Sequence, residues 1–141
     1  MLEIQIRYEG GLRTRAVHGP SAAALQTDAP LDNHGKGESF SPTDLVATAL
    51  GSCMLTVMGI VAERHGWRIE GSDVHVQKSM VSDPVRRIGK LEVWLRMAGE
   101  HEARARETLE RAARTCPVHQ SLLPGIEIPL HFEWGAPVPR A

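Results

Sequence analysis

The chain has 141 residues, 42% hydrophobic and 23% charged, with 16 Lys and Arg against 17 Asp and Glu. That length suits one domain over 1–141, able to bury about two thirds of its unfolded surface. A net charge of −1 makes no field that gathers phosphates, which argues against nucleic acid as a partner. Two cysteines are too few for a disulfide scaffold. The N-terminus alternates like a strand and not like a secretory signal, so free thiols in a reducing, cytoplasmic setting are expected.

Leu2, Ile4, Ile6 and Tyr8 fall on one face of a first strand, with Glu3, Gln5 and Arg7 on the other. Glu9-Gly10-Gly11 turns the chain, and Leu12 to His18 returns as its hairpin partner. A third short strand is expected near Ala23 to Thr27. Residues 28–40 carry Asp, Asn, Pro and Gly in close order and read as a long loop, of the kind that tends to line sites.

A central helix starts at Ser41 as N-cap, with Pro42 in the first helical position and Asp44 as capping-box partner. It stops at Arg64-His65-Gly66, with basic residues at the negative end and glycine past it. Val46, Ala49, Leu50, Cys53, Val57 and Ile60 are expected on one face. From Leu45 to Ala62 no residue is charged, and about 18 such positions is the lower limit for a membrane span. The run nevertheless holds Thr48, Gly51, Ser52, Thr56 and Gly59 and lacks flanking aromatics, so it reads as a buried helix. No membrane is expected; a partner subunit would help to cover it.

Beyond the helix, Val74 and Val76 alternate with His75 and Gln77. The segment from Ile88 to Met97 turns Leu91, Val93, Leu95 and Met97 inward, in an antiparallel style. An amphipathic helix over 101–115 carries Leu109, Ala112 and Ala113 inward, and Cys116-Pro117 begins a short helix ending near Pro124-Gly125. A last strand bears Ile126, Ile128, Leu130, Phe132 and Trp134, with Pro129 marking an edge. Strands and helices fall in separate blocks, which makes the fold class α+β.

Cys53 and Cys116 are the groups that could do chemistry. A free cysteine among Ala, Leu, Met and Val is ordinarily core and inert, so Cys53 needs a cation beside it to react. Arg13 and Arg15 of the second strand are the candidates, with Arg15 preferred. Cys116 stands at a helix start, where amides and the helix dipole favour a thiolate. On local physics it is the better nucleophile. His119, three residues on, reads as a base, a metal ligand or a plain structural residue. A site of Cys116, His119 and another histidine would be a weak zinc pattern. No metal or cofactor is required.

The two runs "SPTDLVATALGSC" and "CPV" at Cys116, in that order and with these strands around them, resemble the OsmC/Ohr family, named for osmotic induction and organic-hydroperoxide resistance. The resemblance covers nearly the whole chain. It implies an intertwined homodimer with sheets packed around long cysteine helices. It also implies a thiol peroxidase: Cys53 attacks an organic hydroperoxide, Cys116 closes a disulfide, and an external dithiol, of lipoyl or small-thiol type, reduces it. Leu50, Met54 and Val57 would line the pocket. Where family peroxidases carry a glutamate after the helix-start proline, this chain has Thr43. With Asp44 engaged in capping, Glu38 is the available arginine partner. The rival reading keeps the same fold but makes it a non-catalytic thiol sensor or small-molecule-binding protein.

Overall fold

The computed structural model describes residues 1–135, in an α+β arrangement of two three-stranded sheets and one long helix. By contacts it divides into two compact units, Met1–Val46 and the chain from Ala47 onward.

In the first unit β1 (Ile4–Gly10), β2 (Arg13–His18) and β3 (Ala24–Asp28) form an antiparallel meander. Gly10, Gly11 and Leu12 all have positive φ at the β1–β2 turn. Register sets Arg13 opposite Asp28 and Arg15 opposite Gln26. The face of β1 carrying Ile4, Ile6 and Tyr8 is 54–64% exposed. The loop after β3 includes a single 3-10 turn, Leu31–Asn33, and bonds to itself through Gly35 N–H to the Pro30 carbonyl and Gly37 N–H to the Ala29 carbonyl.

Helix α1 (Pro42–His65) has the expected ends. Asp44 N–H donates to Ser41 Oγ at 3.1 Å while Ser41 N–H donates to Asp44 Oδ2 at 2.9 Å, a complete reciprocal capping box. At the other end Gly66 takes φ +71, and Trp67 N–H reaches the Ala62 carbonyl at 2.9 Å, closing the helix as a Schellman motif. The helix is long and apolar enough to cross a membrane, and only 28% of its most apolar stretch is buried.

Its buried stripe is Ala47, Leu50, Gly51, Met54, Met58 and Ala62, not the face expected from the sequence. A helix without a polar side gives its periodicity no phase, so only Leu50 was placed on the correct face. Gly51 lets the helix approach the next sheet closely: a Cβ there would sit 3.0 Å from Val74 Cγ1 and 3.2 Å from Val76 Cγ2.

The second unit continues with β4 (Asp73–Val81), β5 (Arg87–Met97), α2 (Ala103–Arg114), α3 (Pro117–Leu122) and β6 (Leu130–Trp134). Strand β5 is central and buries Leu91, Val93, Leu95 and Met97 completely, as its alternation requires. It pairs antiparallel with β4 but parallel with β6. The antiparallel style expected of the strands up to Met97 therefore does not extend to the last strand. Helices α2 and α3 lie between β5 and β6, and a crossover of that length returns the chain in the same direction. Helix α2 turns Ala105, Leu109, Ala112 and Ala113 inward.

Candidate functional site

Cys116 is the N-cap of α3. Thr115 and Cys116 close α2 by donating to the Ala112 and Ala113 carbonyls, and Pro117 follows at N1, where no N–H is wanted. The first free amides of α3 then turn to sulfur: His119 N–H donates to Cys116 Sγ at 3.3 Å. The His119 ring is also buried, and its Nδ1 lies 2.8 Å from the Arg114 carbonyl. A carbonyl only accepts, so Nδ1 carries the proton. The ring ties the α2–α3 joint together, and among the described residues no group of three or more His, Cys, Asp or Glu is placed to hold a metal ion. Gln120 Nε2 donates to the same carbonyl at 2.8 Å.

The two thiols meet. Cys53, half-buried in the middle of α1, lies within hydrogen-bonding reach of the Cys116 thiol, and both are free. Burial raises the Cys116 pKa, the His119 amide pulls it down, and the neighbouring Cys53 raises it again. The upward causes win. Cys116 is fully buried, and loss of hydration outweighs the helix end that made it the better nucleophile on sequence grounds. It stays a thiol at neutral pH. Leu50 and Met54, expected to line a pocket, are fully buried core, and Val57 is half-buried.

A second cluster lies in the first unit. Arg13 Nη2 donates to Glu38 Oε2 at 2.9 Å and to Asp28 Oδ2 at 3.4 Å. The Glu38 and Asp28 carboxylates together hold the guanidinium above its ordinary pKa. Glu38 does have an arginine partner, but it is Arg13 and not Arg15. Arg15 is exposed and stands across the sheet from Arg7 and Gln26. The physical reason is register, since only Arg13 faces a carboxylate on β3.

Asp28 escaped sequence reading because it was assigned to the loop. It is the last residue of β3, fully buried, and it also accepts Glu38 N–H at 2.9 Å. Its pKa is lowered, first by the Glu38 amide and then by Arg13, against the cost of burial. An acid closing the otherwise uncharged run Ala24–Thr27 was the available signal. Thr43, at the position of the family glutamate, has its hydroxyl 3.2 Å from Ser41 Oγ. Asp44 is engaged in the capping box. Beside Glu38 opens a concavity of about 400 Å³ lined by Gly37, Glu38, Ser39, Phe40 and Asp44.

A long helix carrying one thiol, a capped short helix carrying the other, and a strand arginine are now in hand. The model of the OsmC-like protein family matches residues 35–131. The chain belongs to the OsmC family. A crystal structure from Psychrobacter arcticus, of a protein named for an inferred role in osmotic stress and detoxification, is 41% identical to this OsmC-like chain. It superposes at a TM-score of 0.88 over 94% of this chain and 96% of that one. An organic hydroperoxide resistance protein OsmC from Legionella pneumophila is 16% identical, with TM-score 0.76 over 94% and 96% of the two chains. The organic hydroperoxide resistance protein OhrB of Bacillus subtilis is 18% identical, with TM-score 0.70 over 94% and 98%. These last two share the fold. No curated protein sequence matches the chain.

Proposed function

We propose that this OsmC-like protein is a thiol-dependent peroxidase that reduces organic hydroperoxides through Cys53 and Cys116. The observation that carries the reading is that two cysteines far apart in sequence bring their thiols into hydrogen-bonding reach. Membership of a family that includes organic hydroperoxide resistance proteins supports it.

The Cys53 thiolate attacks one peroxide oxygen. An S–O bond forms, the O–O bond breaks, and the alkoxide leaves and takes a proton as the alcohol. The Cys116 sulfur then attacks the sulfenic sulfur, an S–S bond forms, and water departs. A dithiol, of lipoyl or small-thiol type, returns both cysteines to the reduced state in two exchange steps. A buried, protonated Cys116 suits this order, because the second thiol is needed only after the first has been oxidised. Of the strand arginines, Arg13 is the one we assign to the arginine–glutamate pair, with Glu38 as its partner.

The reading includes a homodimer in the cytoplasm. Support for the homodimer comes from the exposed apolar face of β1 and from a cysteine helix with only 28% of its apolar stretch covered in one chain.

Intact mass after one equivalent of cumene hydroperoxide tests the central step. Loss of two hydrogens is expected from the wild type, and a Cys53→Ser variant should neither lose them nor consume peroxide with a dithiol. Turnover that survives in Cys53→Ser would remove the assignment. Thr43 favours a second reading, a thiol sensor oxidised once without turnover. Under that reading peroxide consumption stops at one equivalent even with excess dithiol.

A further inference from the structure

We propose that Asp28 is the fixed counter-charge of Arg13 and that Glu38 is the exchangeable one. The inference deepens the peroxidase reading and rests on it only for its consequence at the thiol. Asp28 is placed by the sheet itself, in register directly opposite Arg13, and is fully buried. Its Oδ2 accepts from Arg13 Nη2 and from Glu38 N–H, while its Oδ1 has no hydrogen-bond partner among the described residues. Burying a carboxylate with one oxygen unsatisfied is costly. A strand end would not keep such a group for packing alone; a neighbouring cation gives it a reason to stay ionised.

Glu38 is the opposite case. Its bond to Arg13 is the shorter at 2.9 Å, yet its side chain is 60% exposed and lines the open concavity. An exposed ion pair gives up its partner with little loss. Glu38 can therefore cede the guanidinium to an incoming oxygen acceptor while Asp28 keeps Arg13 in register. Because Asp28 also holds the Glu38 backbone amide, the displaced carboxylate returns to the same place. Asp28 is a positioning residue that acts through Arg13.

The test is nuclear magnetic resonance of the arginine-labelled full chain, with the Arg13 guanidinium signal assigned by its loss in Arg13→Lys. In the wild type the Arg13 guanidinium protons are expected to exchange slowly with water. In Glu38→Gln that protection stays within about threefold, and in Asp28→Asn it falls about tenfold or more, as expected for losing a charge-assisted bond. Wild-type protection in Asp28→Asn, or its collapse in Glu38→Gln, overturns the proposal. Should Asp28→Asn fail to fold, Glu38→Gln decides alone: retained protection supports a second, fixed partner and lost protection refutes it. A hydroperoxide assay on the wild type keeps the two ideas apart. The expected protection pattern with no peroxide consumption leaves the clamp standing and removes the peroxidase reading.

Discussion

Around Cys116 the restraints are hydrocarbon and one helix end, whereas around Arg13 they are carboxylates. Cys116 has no exposed surface and its ties are backbone amides and the neighbouring Cys53 thiol, with no charged partner among the described residues, so its position follows from packing. Arg13 is partly exposed and is held by two side-chain charges, one buried and one in solvent. The first kind of restraint is tight and insensitive to salt or acid. The second is adjustable, and it can be titrated. Under the proposed function, a redox pair would need a fixed separation between sulfurs, while an arginine that met a substrate would gain from being able to change partners.

Substitutions should separate the two modes. The largest effect is expected on the packed side. Met54 is fully buried on α1, the helix that carries Cys53, and Met54→Ala should cost about 2–5 kcal/mol in chemical denaturation. A loss well under 1 kcal/mol would mean that this helix face is not core. On the charged side, Arg13→Ala should lower kcat/KM for an organic hydroperoxide about 100-fold and should also lower the denaturation midpoint, because it leaves the buried Asp28 carboxylate without its cation. Arg15→Ala should stay within a few-fold. Equal losses in the two variants would end the distinction between them.

The smallest effect is a matter of pH. The folded pKa of Asp28 lies below its unfolded value, which is about 3.9. Its contribution to stability is therefore fully present above about pH 4 and is lost as pH falls through the lower folded value. Melting temperature should drop more steeply below pH 4 in the wild type than in Asp28→Asn. Parallel curves would show that the clamp adds nothing to stability.

Much of the fold was legible because local chemistry fixed it. Ser41, Pro42 and Asp44 admit one helix start, Gly66 one end, and the alternation from Leu91 to Met97 one buried face. The pairing of Cys53 with Cys116 was legible only through resemblance, since nothing in the spacing brings α1 to the start of α3. What stayed hidden has common physical causes. The buried face of α1 was unreadable because no polar side marks its phase. The direction of β6 depends on a crossover, not on its own residues. Arg13 and Arg15 lie on one strand two residues apart, and only pairing with β3 decides which of them meets an acid. The burial of Cys116 was not legible, because a helix N-terminus is a local feature whereas burial is a property of the assembled core.

One sulfur does two jobs in this molecule. Cys116 Sγ is the acceptor that finishes the backbone of α3, a helix of only six residues. So short a segment depends on its end for order. Any bond drawn to that atom weakens it as an acceptor and so loosens the amides just downstream. The oxidation state of the protein would then be recorded in the exchange of a few peptide hydrogens, legible without a thiol reagent.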